Sequence, residues 1–209
     1  MKTNKPRMID LRDVEIPIQA VLRRLGYPPK KRNLEGQVEK IFQDALTQAE
    51  SLIRPRGVFQ ILEITYRDEN ITHFSGTDFI LKSQKVSQML KQSIFMACFV
   101  VTVGDELEKE ILMLTENNDV TQGVMLDAIG SETTDEVAQM LHNLIKKMAK
   151  EKGFSTTPRF SPGYGDWPVT IQSELVALAG GSRIGVSVNA SSFMHPRKSV
   201  SAVLGIEKK

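Results

Sequence analysis

Apolar positions along the chain fall into blocks of two periods. Val38, Ile41, Phe42, Ala45, Ala49, Leu52 and Ile53 recur at helical spacing and predict a helix that Pro55 and Gly57 end. Residues 58–66 read as a strand, with Val58, Leu62, Ile64 and Tyr66 on one face and Gln60 as an interruption. The polar turn 67–70 and a second short strand, 71–74, complete a hairpin signature. Residues 83–91 read as a short helix with Ser83 as its N-cap. Residues 94–103 are almost unbroken apolar, which predicts a strand covered on both faces, with Cys98 inside it as a small buried thiol. Gly104 ends that strand, and Asp105 and Glu106 open a helix whose stripe is Leu107, Ile111 and Leu114.

Asp119 starts a long helical stretch to about Lys150, with Val137, Leu141, Leu144, Ile145 and Met148 as its apolar stripe. His142 beside that stripe is expected to be structural. Gly130 and Ser131 interrupt the pattern and allow either a close helix contact or a slight kink. Residues 169–179 predict a further helix stopped by Gly180 and Gly181. Ile184, Val186 and Val188 alternate as a strand; so do residues 199–206, with Val200, Ala202, Leu204 and Ile206 on one side. Residues 1–35 carry the weakest pattern: 16–25 fit a short helix, and Lys30, Lys31 and Arg32 fit a solvated loop better than an anion site. The order of elements, with no repeat and no linker, fits a single α+β domain over 1–209.

Composition narrows the function classes. Among 209 residues, 27 Lys and Arg against 25 Asp and Glu leave a net charge of +2, without the basic excess that broad nucleic-acid binding needs. Hydrophobic residues at 41% support a core and argue against a disordered chain. A single cysteine cannot form an internal disulfide, and His73, His142 and His195 are too scattered for a zinc site, so no metal is expected. No apolar run reaches the roughly 20 residues of a membrane helix, and the basic residues 1–7 are not followed by a signal core. A cytoplasmic protein is expected.

One segment stands above generic globular sequence. Residues 156–168 are rich in Gly, Pro and aromatics and predict a structured loop. Arg159 supplies a fork that grips carboxylates, Gly163 and Gly165 supply bare backbone that a flat ligand can approach, and Tyr164 and Trp167 supply aromatic faces that attract a cation such as a sulfonium. On these residues alone, a ligand loop and a structural turn both stand. No Ser/His/Asp set, carboxylate pair or P-loop is present, so no catalytic side chain is expected.

Arg159-Phe160-Ser161-Pro162-Gly163-Tyr164 resembles the Arg-x-x-x-Gly-Tyr signature of the reactivation domain of cobalamin-dependent methionine synthase. Leu126 to His142 is similar to that family's long helix, and Phe193 to Ser201 to its Met-x-Pro-x-x-Ser-Val-Ser block; the three blocks keep their order over roughly residues 95–206. The resemblance implies an α+β fold with a mainly antiparallel, twisted central sheet flanked by helices. It also implies binding of S-adenosylmethionine, with Arg159, Pro162, Gly163, Tyr164, Gly165, Asn189 and Ser191 as cofactor-binding residues. The implied role is that of a stand-alone module supporting reductive remethylation of cob(II)alamin on a separate methionine synthase. Its partners would be that enzyme's cobalamin-binding domain and a flavodoxin-type electron donor, with neither nucleic acid nor membrane involved. The alternatives are an S-adenosylmethionine-sensing or docking module without methyl transfer, or a reactivator of another corrinoid protein. Where the family carries Thr-Glu-Ser before the methionine, this chain reads Asn189-Ala190-Ser191, so the acidic side chain is gone. Asp10, Asp13 and Asp68 are the candidates for the family's N-terminal acidic contact to the methyl donor.

Overall fold

The apolar run at 94–103 becomes the middle of a sheet. A computed structural model describes residues 1–3, 5–27 and 34–208, so the basic run Lys30 to Arg32 lies outside the described residues. Its elements in chain order are β1 (Arg7–Asp10), α1 (Ile18–Arg24), α2 (Gly36–Leu52), β2 (Arg56–Arg67), β3 (Ile71–Phe74), β4 (Ile80–Lys82), α3 (Gln84–Met89) and β5 (Ser93–Thr102). There follow α4 (Glu106–Glu116), α5 (Val120–Lys150), β6 (Phe154–Thr156), α6 (Gln172–Ala179), β7 (Ser187–Val188), β8 (Met194–His195) and β9 (Ser199–Lys208). The main sheet has the order β4-β3-β2-β5-β9-β6, with β1 beside the first part of β2, and every ladder is antiparallel. The molecule is therefore α+β, with a mainly antiparallel sheet flanked by helices.

Alternation along the central strands serves two cores, one on each face. Phe59, Ile61, Ala97, Phe99, Val101, Ala202 and Leu204 pack against α1, α2, α4 and α5. Val58, Leu62, Met96, Cys98, Val100 and Val203 point the other way, against Val86 of α3, Leu175 and Val176 of α6, Trp167 and the β3–β4 hairpin. Each large side chain buried in this way contributes about 1.5–3 kcal/mol, which is why a strand with no polar face is stable here. At Gly130 the alternatives resolve to a close approach: a Cβ there would overlap Leu107 Cδ2 of α4.

Three expectations need correction. Ile184 belongs to a 3₁₀ turn, Gly181–Ile184, and Gly185 follows at φ 79°, so the strand shrinks to Ser187–Val188; Ile184 and Val186 are buried as packing residues of the second core. Helix α6 is preceded by a 3₁₀ turn, Val169–Ile171, in place of a helix running from 169. Tyr66 does not share the buried face, because a register shift between Ile64 and Tyr66 turns its ring outward against His73. Strands β1 and β4 were not expected; both are short and lie against strands that supply the missing ladder. Among the described residues, no helix is long and apolar enough to cross a membrane.

Candidate functional site

Strand β9 is incompletely covered along one edge. Strand β6 pairs with it only over Ile206 to Lys208, and the chain then makes one more bridge, Phe160 to Val203, with N···O distances of 2.8 and 2.9 Å. Beyond that bridge, Ser199 to Ala202 have β5 on one side and, among the described residues, no strand on the other. The opening is a groove of about 390 Å³, lined by Ser199, Val200 and Ser201 from β9, Arg159 to Pro162 and Tyr164 from the loop, Asp135 from α5, Gln172 from α6 and Met194 from β8. That volume lies in the range of small-molecule sites, about 300–1,000 Å³.

The loop over the groove is pinned at both ends. On one side the Phe160 bridge fixes it to β9, and Thr157 N–H donates to Gly205 O at 3.0 Å. On the other, the Asp166 carboxylate accepts from Ser83 Oγ at 2.7 Å and from the backbone N–H of Gln84 at 2.6 Å. The Ser83 hydroxyl in turn accepts from Val86 N–H at 3.1 Å and caps α3. These bonds, the Ser83 hydroxyl foremost, hold the Asp166 carboxyl below the usual aspartate range.

Arg159 is half-buried, and its Nη1 donates to Gln139 Oε1 of α5 at 2.8 Å. Gln139 uses one of five guanidinium donors and leaves the rest available to a ligand. Asp135, one helical turn earlier on α5, puts a carboxylate on the groove wall and makes no salt bridge among the described residues. On the groove floor, Gln172 is 4% exposed and its Nε2 donates to Ser201 Oγ at 2.7 Å. His142, also on α5, has its pKa lowered by burial first and by the nearby Arg159 charge second, which favours the neutral imidazole.

Of the residues expected from sequence, Arg159, Pro162 and Tyr164 line the groove together. Gly163 and Gly165 belong to the same loop at φ 90° and 60°, and both are exposed, though neither is a lining residue of the groove. The Gly163 N–H donates to Trp167 O at 2.8 Å. A Cβ on Gly165 would stand 2.7 Å from Lys85 Cδ and 3.3 Å from Phe160 Cζ, so that glycine serves packing. Trp167 is not a ligand face: it is 1% exposed in the second core, and its Nε1 has no partner among the described residues, so it anchors by bulk. Asn189 and Ser191 are not among the lining residues. They form the β7–β8 turn, where Asn189 Oδ1 accepts from the N–H of Ser191 and of Phe193, each at 3.0 Å.

Asp10, Asp13 and Asp68 are likewise absent from the lining; Asp10 pairs with Arg12, and Asp68 closes the β2–β3 turn by accepting from Asn70 and Ile71 N–H. The acid that does line the groove, Asp135, was missed, as were Gln139, Gln172, Ser199 and Ser201. A polar pair four apart at the border of a buried helical stripe could have pointed to Asp135 and Gln139, and two serines alternating along an otherwise apolar strand to Ser199 and Ser201; Gln172 carries no such signal. Tyr164, which lines the groove, is 69% exposed, and Phe193, next in sequence to the lining residue Met194, is 67% exposed.

Comparison with known proteins follows the same line. The crystal structure of the MetH reactivation domain bound to AdoHcy resembles this chain with a TM-score of 0.68, over 96% of this chain and 78% of that one, at 18% identity. At that identity the likeness establishes the fold. No curated protein matches the chain. The model of the vitamin B12 dependent methionine synthase activation domain matches residues 45–209, from within α2 through β9. The chain belongs to the family of the vitamin B12 dependent methionine synthase activation domain.

Proposed function

We propose that this chain binds S-adenosylmethionine in the β9 groove and presents it to a cobalamin carried by a partner protein. The observation that carries the reading is the Arg159 guanidinium, held by Gln139 and with no other side-chain partner among the described residues, at a groove that also holds the Asp135 carboxylate. A guanidinium and a carboxylate on one wall suit the two ends of an amino-acid zwitterion. Pro162, Val200 and Met194 supply apolar surface for the remainder of the ligand. The similar reactivation domain is described as bound to AdoHcy, which has the same skeleton without the methyl group.

When bound, S-adenosylmethionine would supply a sulfonium methyl group, leaving S-adenosylhomocysteine, and the partner's cobalamin would be the acceptor, with the electron coming from a flavodoxin-type donor. The chain's own residues do the positioning: Arg159 and Asp135 fix the amino-acid end, and the pinned loop keeps the groove formed before the ligand arrives. No side chain in the groove need act as acid or base, since the contribution is proximity. Exposed Tyr164, which lines the groove, and exposed Phe193, next to the lining residue Met194 in the chain, give the partner apolar surface to cover.

The test supplies the chain in trans to a methionine synthase that lacks its own activation domain and is loaded with cob(II)alamin, reductant and S-adenosylmethionine. Methylcobalamin is followed by absorbance. Methylation that requires the chain is expected. Methylation at the same rate without it overturns the reactivation role, and binding of S-adenosylmethionine by calorimetry would then favour a sensing or docking module.

A further inference from the structure

We propose that Lys198 is a positioning residue for the ligand groove: its ammonium clamps the start of β9 to the turn of α5 that precedes Asp135. The proposal rests on the S-adenosylmethionine reading above and adds how the two walls of that groove keep their spacing. Lys198 is not a lining residue, but it directly precedes Ser199, which is. Its Nζ donates to Asp127 Oδ1 at 2.6 Å and to Ser131 Oγ at 2.7 Å, both on α5. Its backbone is held as well. The N–H donates to Glu108 Oε1 of α4 at 2.6 Å, and the carbonyl accepts from Val103 N–H at 3.1 Å and from Thr102 Oγ1 at 3.2 Å. The stem lies against Gly130, where a Cβ would stand 3.5 Å from Lys198 Cε. Gly130 and Ser131, the break in the apolar pattern of α5, are thus the seat of this one side chain.

A lysine–aspartate pair with one partner in water contributes little to stability, so the clamp matters through what it orients. The Lys198 side chain is 13% exposed, and two acceptors one helical turn apart on α5 fix the direction of its ammonium. Among the described residues, no other side-chain hydrogen bond joins α5 to residues 194–201. Core packing of Ala202, Leu204 and Ile206 holds β9 farther along. At the groove end, the clamp supplies the polar tie. Ser131 and Asp135 are four apart on α5 and share one face of it. Fixing Ser131 to residue 198 therefore sets Asp135 on one wall against Ser199, Val200 and Ser201 on the other. Met194, at the far end of the same loop, also lines the groove. A binding site needs such support behind the residues that touch the ligand.

The test measures binding of S-adenosylhomocysteine by calorimetry on the intact chain, beside the urea midpoint of each variant. Lys198→Met keeps the apolar stem and removes the ammonium. Measured where the variant is folded, it is expected to bind about fivefold more weakly or worse, because the ligand must then immobilise Asp135 and the Met194 loop itself. The loss caused by Asp135→Asn is expected to shrink when Lys198→Met is already present, since an Asp135 that is no longer placed has less to lose. Asp127→Asn and Ser131→Ala loosen the same ammonium while leaving the lysine in place, and both are expected to weaken binding in the same direction. They decide the matter if Lys198→Met does not fold. A merely structural role would lower the urea midpoint and leave the affinity of the folded protein alone, and that result overturns the proposal. So does an Asp135→Asn loss that stays undiminished beside Lys198→Met, or unchanged affinity in both Asp127→Asn and Ser131→Ala. Failure of the unmodified protein to bind S-adenosylhomocysteine overturns the S-adenosylmethionine reading itself, so the two failures are distinguishable.

Discussion

Replacing Gln139 by Leu tests whether Arg159 is a held guanidinium or a loose one. The bond broken is the 2.8 Å contact from Arg159 Nη1, a charge-assisted bond between two half-buried side chains. Such bonds are worth about 1.5–3 kcal/mol when nothing replaces them. Arg159 remains partly open to water, which takes over the lost acceptor, so the cost to folding should fall to about 1 kcal/mol or less. For a chain of this length that lowers Tm by about 2–4 °C. The larger effect belongs to binding, because a freed guanidinium must be immobilised again by the ligand at about 0.5–1.5 kcal/mol. That predicts a loss of affinity for S-adenosylhomocysteine of about twofold to twelvefold, against the roughly tenfold to hundredfold loss expected for Arg159→Ala. Calorimetry on both single variants and the double variant closes a double-mutant cycle. If Gln139 acts only through Arg159, adding Gln139→Leu to Arg159→Ala costs nothing more. Losses that simply add would refute the positioning role.

Gly130→Ala should destabilise the fold by about 0.5–2 kcal/mol, because overlap with Leu107 Cδ2 outweighs the better helix propensity of alanine; a lower urea midpoint with an unchanged m-value would check it. Cys98, whose thiol pKa burial pushes up to about 12, should resist thiol reagents in the native protein and react fully in denaturant; rapid labelling without denaturant would contradict that placement. The Asp166 carboxyl has a lowered pKa in the folded state, so its contribution is present above the ordinary aspartate value of 3.8 and is lost as pH falls below it. Fluorescence of Trp167, the single tryptophan, should shift to the red as that acid range is entered, and Asp166→Asn should show part of the shift at neutral pH.

The legible parts of the fold were those whose signal is local. The run at 94–103 announces a strand buried on both faces because no residue in it could face water, and β5 is the sheet's middle strand. The stripe of α5 is equally plain, since it repeats over a 31-residue helix. Strand β1, with the sequence Arg-Met-Ile-Asp, carries no such signal; its ladder comes from residues 56–59, far along the chain. Ile184 and Val186 alternate like a strand but are buried beneath α6 without a ladder, so their pattern reports burial and not hydrogen bonding. The site divides in the same way. Arg159 and Pro162 stand inside one motif, whereas Asp135, Gln139, Gln172 and Ser201 come to the groove from three other elements.

That division has a physical origin in where the groove lies. Helix α5 packs on one face of the sheet, while Trp167 and α6 pack on the other. The chain between them must cross an edge of the sheet, and it does so beside β9, where the Phe160 bridge is its last ladder contact. Past that bridge, among the described residues, no strand pairs with the edge from Ser199 to Ala202, and side chains from both layers reach it: Asp135 and Arg159 with Gln139 from the α5 side, Gln172 from the other. A strand edge left without a pairing partner would be a liability in an ordinary domain. Here it is held open by anchors that do not line the groove, namely Trp167 in the core and Asp166 on the cap of α3. Those anchors order the loop before any ligand binds, so the cost of ordering falls on folding and not on binding. The family's acidic position at Ala190 lies on the β7–β8 turn, which the Asn189 side chain closes by itself. In the proposed reading the carboxylate that a zwitterion needs comes instead from Asp135 of α5, which lines the groove, and substituting Asp135 should weaken binding of S-adenosylmethionine while substituting Ala190 should not.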